Sequence, residues 1–400
     1  MQGIWTPGIY PIKGGRFAMK KLGFGAMRLP MMNGDSGKID IEHLTEMVDL
    51  FLERGFTYFD TSYVYHGGES EKILKQVLVD RYPRSSFTIT TKAPVFLIES
   101  QQHFFHIFDE QLDRLGTDYV DYYWLHAVNG EMYKRIESLK LVDALAQLKQ
   151  EGRAKHIGFS YHDSPELLDR ILTEHPELEY VQLQLNYFDW DSPYVAAKDC
   201  YEVCKKHGKL VVVMEPVKGG ALASLPGELE DILKTCDPNL STASWAIRFA
   251  ASLDHVFMVL SGMSNMEQMQ DNISYMEQFH PFSEQESVAV SKVAQALRQD
   301  MDLYAGGFCG GGSPLSEENR ACENRANAER SQKDGRLYQH QYLLRSLSRF
   351  CRESRRLQPV RKMPAFGKWA RRDCHAEKGQ RYDYTFLRKG ETPQGDTIMA

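Results

Sequence analysis

Short apolar runs rich in β-branched and aromatic residues recur along the first three quarters of the chain. Between them, apolar positions repeat at three- and four-residue spacing. The runs predict strands at 22–25, 56–59, 87–91, 119–125, 156–159, 180–185, 210–214 and 256–260. The intervening periodicity predicts helices at 41–54, 69–80, 103–115, 133–151, 165–174, 194–207 and 243–251, with a further amphipathic helix at 283–299. Local signals agree with these boundaries. Ser164 before Pro165 and Glu166 offers a helix start, and Gly55, Gly152 and Gly208 fall where a helix-ending glycine belongs.

Strands alternating with helices call for a parallel sheet, and most strand runs are apolar on both faces, as a sheet covered on both sides requires. An open doubly wound sheet usually opens a helix with a glycine fingerprint after its first strand. Here Gly23-Phe24-Gly25 runs instead into Ala26-Met27-Arg28-Leu29-Pro30. Polar residues stand after nearly every run: Asp60, Lys92, His126, Ser160, Asn186, Glu215 and Ser261. In a closed (β/α)8 TIM barrel those ends converge on one face, where active sites lie. The expected fold is therefore that barrel, over residues 19–300. An N-terminal extension over 1–18 and an atypical C-terminal extension over 301–400 flank it.

Four of the polar residues make chemical sense together. A carbonyl that accepts a hydride needs a proton at its oxygen. Tyrosine is a weak acid, with an ordinary pKa near 10, and needs a neighbouring positive charge to give that proton up. Tyr65 is the candidate acid, Lys92 the cation, Asp60 the carboxylate that holds Lys92, and His126 a group to orient the carbonyl oxygen. Singly, each has a plainer reading: a turn aspartate, a solvated lysine, a structural histidine, one tyrosine among 20. Their joint arrival from the second, third and fourth strands carries the reading.

Together with these residues, further segments resemble the aldo-keto reductase family. They are Gly23-Phe24-Gly25, Asp60-Thr61 with Tyr65 and a following Gly and Glu, Thr91-Lys92, Asp118-Tyr119 and Asp121 before His126, Ile157-Gly158-Phe159-Ser160, Gln182 with Asn186, and Gly262-Met263-Ser264. The resemblance covers roughly residues 19–272. It implies a TIM barrel, NADP or NAD as cofactor, and reduction of a small-molecule carbonyl substrate with Asp60, Tyr65, Lys92 and His126 as the catalytic set. It implies further that Ser160 and Gln182 hold the nicotinamide carboxamide and that Ala26 and Met27 lie near the ribose beside Asp60. Met214 then takes the place where many relatives stack a tyrosine. Glu215, Val217 and Gly219 belong to a loop approaching the pyrophosphate, with Lys218 available to neutralise it. Ser261, Gly262, Ser264, Gln268 and Asn272 stand at the adenosine end. Relatives often carry basic residues there, so weak discrimination between NADPH and NADH, or preference for NADH, is expected. A non-catalytic barrel that binds nicotinamide as a redox sensor or partner subunit is the alternative.

Composition changes the picture mainly at the C-terminus. The net charge is −6, yet residues 301–400 hold 19 Lys and Arg against 12 Asp and Glu, so a basic tail follows an acidic body. Tyr65-His66-Gly67-Gly68-Glu69 and Met214-Glu215-Pro216-Val217-Lys218 resemble a microbial subgroup that ends in a ferredoxin-like segment with closely spaced cysteines. The tail cysteines here, Cys309, Cys322, Cys351 and Cys374, are never closer than 13 positions, so no iron–sulfur cluster is expected. The tail reads either as a basic interaction arm or as a stretch translated out of frame. Met19-Lys20-Lys21-Leu22 resembles a natural family start. Seven scattered cysteines fit a reducing cytoplasm. No apolar window spans a bilayer, the Arg clusters lack the aromatic interleaving of a nucleic-acid binder, and His103 with His106 lacks a third metal ligand. Membrane, nucleic acid and metal are therefore not expected partners. Oligomeric state is not legible.

Overall fold

The computed structural model describes residues 19–32, 38–192 and 195–306, with side chains to residue 298. Expectations for 1–18, for Tyr194 and for 307–400, including the tail cysteines, lie outside these residues.

Eight parallel strands close into a barrel, each paired with the next and β1 with β8. They are β1 (Leu22–Gly25), β2 (Tyr58–Asp60), β3 (Thr88–Ala93), β4 (Val120–Val128), β5 (Ala154–Tyr161), β6 (Tyr180–Gln184), β7 (Leu210–Met214) and β8 (Val256–Ser261). Helices α1 (Ile41–Glu53), α2 (Ser70–Leu74), α3 (Gln101–Leu115), α4 (Gly130–Leu139), α5 (Leu141–Gln150), α6 (Pro165–Glu174), α7 (Ala197–Lys206), α8 (Gly227–Lys234), α9 (Thr242–Ala251), α10 (Met266–Met276) and α11 (Glu284–Gly306) complete the fold. The starts follow capping chemistry: Asp40, Ser100, Ser164, Ser241 and Asn265 each accept a backbone N–H from the first helical turn.

Several expected elements change shape. The helix expected over 133–151 is two helices, because Lys140 adopts a left-handed φ of 51° and ends α4. The helix expected over 69–80 is a short α2 followed by a π-helical turn at Lys75–Val79. Helix α11 continues to Gly306, past the expected boundary at 300. Helix α8 has no counterpart among the expected helices.

Side chains on a strand alternate between faces. Outward residues such as Phe59, Ile89, Tyr123, Ile157, Val181, Val211 and Val213 pack against the helices in the main core. Inward residues Tyr58, Tyr122, Trp124, Tyr180, Val212, Met258 and Leu260 form a separate cluster inside the barrel. Gly158 makes room for it: a Cβ there would lie 2.8 Å from the Trp124 ring and 2.2 Å from the Tyr180 carbonyl oxygen.

Candidate active site

One alternation step above this aromatic layer, the same inward positions turn polar. Asp60 follows Tyr58 by two residues, Lys92 follows Thr90, His126 follows Trp124, Ser160 follows Gly158, Gln182 follows Tyr180 and Met214 follows Val212. Asp60, Lys92, His126 and Ser160 therefore lie inside their strands, where the sequence places them just beyond. The strands run further than their apolar runs because the upper barrel interior is itself polar and internally bonded. Asn186 and Glu215 do follow β6 and β7.

The structure brings Asp60, Tyr65, Lys92 and His126 together. Lys92 is 1% exposed, and its Nζ donates to Asp60 Oδ1 at 2.6 Å, to the Thr61 carbonyl at 2.8 Å and to Tyr65 Oη at 3.3 Å. With the Asp60 carboxylate at 2.6 Å, Lys92 is held as an ammonium. Burial alone would lower its pKa, but Asp60 and Tyr65 carry it above the ordinary value. Burial pushes the Asp60 carboxyl up while Lys92 pulls it back, and the 2.6 Å contact is that of an ion pair.

His126 reaches the same mouth through a backbone irregularity. The β4–β5 register shifts between Leu125 and Val128, and Ala127 takes a left-handed φ of 58°. Ser160 Oγ accepts the Ala127 N–H at 2.7 Å and so pins this bulge. The His126 ring meets the Tyr65 ring edge-on at 6.0 Å. Burial first, then the charge of Lys92, hold the imidazole well below its ordinary pKa, so it is neutral near pH 7.

The rim loops are built from strained turns. After β7, Glu215, Lys218, Gly219 and Gly220 all have positive φ, and a 3-10 turn spans Lys218–Ala223. Val217 packs between the main core and a second apolar cluster around Trp245. Lys218 Nζ lies 2.8 and 2.9 Å from the two oxygens of buried Asp189, which anchors the loop. After β8, Gln268 Oε1 accepts the Ser264 N–H at 2.8 Å, and Asn272 donates to Ser261 Oγ at 2.7 Å while accepting from Tyr275. The Ala26 N–H donates to the Asp60 carbonyl at 2.8 Å, and Met27 remains open on the rim.

The model of the aldo/keto reductase family matches residues 21–295. The chain belongs to that family. A probable aldo-keto reductase 1 from Glycine max is 28% identical over 222 residues, spanning 53% of this chain and 60% of the soybean protein. The L-galactose dehydrogenase of Arabidopsis thaliana is 27% identical over 282 residues, spanning 63% of this chain and 83% of the plant enzyme. Among solved structures, the holo form of aldo-keto reductase AKR11C1 from Bacillus halodurans shares the fold. Its TM-score is 0.57 at 24% identity, covering 69% of this chain and 92% of that one. Membership makes this chain an NAD(P)H-dependent oxidoreductase of carbonyl groups.

The residues of this aldo-keto reductase fit a nicotinamide dinucleotide. Gln182 Oε1 and Asp60 Oδ2 are buried side-chain oxygens without a hydrogen-bond partner among the described residues. Both belong to the upper inward layer, where a carboxamide N–H and a ribose hydroxyl would satisfy them. Two further side chains at the mouth carry no motif signal. Arg28, after β1, lies along Gly262 and donates to the Gly219 carbonyl at 3.3 Å. Ser62, two residues past Asp60, lies 3.0 Å from His126 Nδ1 through its Oγ. Among the described residues no helix is long and apolar enough to cross a membrane.

Proposed function

We propose that this protein reduces an aldehyde or ketone to an alcohol, with Tyr65 delivering the proton. The observation that carries the reading is the Lys92 ammonium held between Asp60, the Thr61 carbonyl and Tyr65 Oη in a dry pocket. A nicotinamide cofactor, when bound, would supply the hydride. Tyr65 Oη transfers its proton to the carbonyl oxygen, and the adjacent ammonium stabilises the phenolate left behind. Asp60 keeps Lys92 charged and aimed. His126, neutral, donates to the same oxygen and fixes its direction. Ser160 and Gln182 would orient the carboxamide, with Met214 as a soft wall beside the ring. Ala26 and Met27 would flank the ribose, Glu215, Val217 and Gly219 would shape the loop toward the pyrophosphate, and Ser261, Gly262, Ser264, Gln268 and Asn272 would form the adenosine end.

Ser264 and Gln268 already bond to each other, and Arg28, the cation that lies along Gly262, is itself engaged by the Gly219 carbonyl and by Glu215 at 3.9 Å. A 2′-phosphate would gain little charge-assisted bonding from them. We therefore read NADH as at least as good a reductant as NADPH.

Consumption of NADH and NADPH against a carbonyl panel tests both statements. Tyr65→Phe should lower kcat by roughly 100- to 10,000-fold while nucleotide affinity is retained. Full turnover by Tyr65→Phe would end the mechanism, and a large NADPH preference would end the cofactor reading.

A further inference from the structure

We infer that Ser62 is a positioning residue that holds His126 in the tautomer carrying its proton on Nε2. The inference rests on the reading of His126 as donor to the carbonyl oxygen. Ser62 is fully buried on the turn between β2 and Tyr65. Its Oγ lies 3.0 Å from His126 Nδ1, and this is the hydroxyl's one side-chain hydrogen bond among the described residues. The neighbouring hydroxyl is committed elsewhere: Thr61 Oγ1 lies 2.8 Å from Ser70 Oγ.

Two placements of the shared proton compete. If Nδ1–H donates to Ser62, the serine proton is left without an acceptor in a water-excluded pocket. If Ser62 donates to Nδ1, both the hydroxyl proton and the Nδ1 lone pair are used, and the ring proton sits on Nε2. Stranding a buried donor shifts such an equilibrium by roughly tenfold or more. The imidazole is kept neutral by burial and by Lys92, so the two tautomers are the competing species. Only the Nε2–H form lets His126 donate from the nitrogen that Ser62 does not use. A histidine bonded the other way would present a lone pair to the carbonyl oxygen and repel it.

The test is the nitrogen spectrum of protein labelled with 15N-histidine, with His126→Gln used to assign the signal. The wild type should show an unprotonated Nδ1 and a protonated Nε2 for His126. In Ser62→Ala the signals should move toward a mixture of tautomers, and Ser62→Thr should restore the original pattern. Turnover should follow: kcat falls roughly tenfold in Ser62→Ala, while nucleotide affinity stays within about twofold. A wild-type proton on Nδ1 overturns the inference, as does a His126 pattern unchanged by Ser62→Ala. If the tautomer responds as described but the wild type reduces no carbonyl, the reductase reading falls and the role of Ser62 in fixing the ring stands.

Discussion

The barrel interior holds two layers built by the same strands and the same inward alternation, with opposite chemistry. The lower layer is aromatic and apolar: the Tyr58 and Tyr122 rings lie 5.3 Å apart, and Trp124 and Tyr180 lie 5.6 Å apart. The upper layer, one step along each strand, holds Asp60, Lys92, His126, Ser160 and Gln182. The lower layer gains stability from burial and rigidly spaces the strands. The upper layer takes on the desolvation of an ion pair, which the bonds around Lys92 and the packed floor beneath it make tolerable. Its unfilled hydrogen-bonding capacity lies at Gln182 Oε1 and Asp60 Oδ2, and that of the lower layer at Trp124 Nε1. A plug of large side chains directly under a charged pair also keeps water from reaching it from below.

The largest expected effect comes from breaking the upper layer. Lys92→Met leaves Asp60 buried without its partner and should cost about 3–5 kcal/mol of stability, read from denaturant unfolding. Adding Asp60→Leu should recover much of that loss but none of the turnover. Recovery of activity in the double variant would show that the pair serves folding rather than proton transfer.

Breaking the lower layer should cost less. Gly158→Ala puts a methyl against the Trp124 ring and the Tyr180 backbone. Since a strand carbonyl cannot swing aside as a side chain can, a loss of about 1–3 kcal/mol is expected, toward the upper end of that range. Ser160 sits two residues above, so displacement of β5 should also loosen the Ala127 bulge and lower kcat more than it weakens nucleotide binding. An alanine variant with unchanged stability and kcat would mean the two layers are not mechanically linked.

The sequence reveals the barrel because strand and helix periods alternate cleanly, and β1 and β7 fall on their expected bounds. It singles out Asp60, Lys92 and His126 because these three polar residues interrupt apolar runs in succession. It misplaces them as residues beyond the strands, since polarity normally marks an end and nothing local says that the barrel interior continues upward. The break at Lys140 is hidden for a similar reason: no Gly or Pro marks it, and the buried residues of α4 and α5 keep helical spacing across it. Lys218 looks free for a phosphate because its partner, Asp189, is 29 residues away. Ser62 and Arg28 act through contacts made only after distant strands close, which spacing cannot show.

The smallest effect concerns the rim above the upper layer. His162 follows β5, and its N–H donates to the Val128 carbonyl at 2.9 Å. Burial pushes its imidazole down to about 4, against an unfolded value near 6.5. Below pH 6.5 the unfolded chain takes up a proton that the folded chain refuses, so folded stability declines as pH falls from about 6.5 toward about 4. His126, lowered by burial and by Lys92, acts with the same sign. Asp60, with its carboxyl raised by burial, acts with the opposite sign, its stabilising share being lost as pH rises through its folded value. His162→Gln removes one histidine from this balance and leaves the other two groups in place. Its unfolding free energy at pH 7 should change little. Its decline across the acid window should be shallower by about 1 kcal/mol, allowing for partial exposure at the rim. Urea midpoints measured through that window decide it. An equally steep decline in the variant would mean that the dry region ends at His126, below the rim, and that the desolvated layer is one residue thinner than the alternation implies.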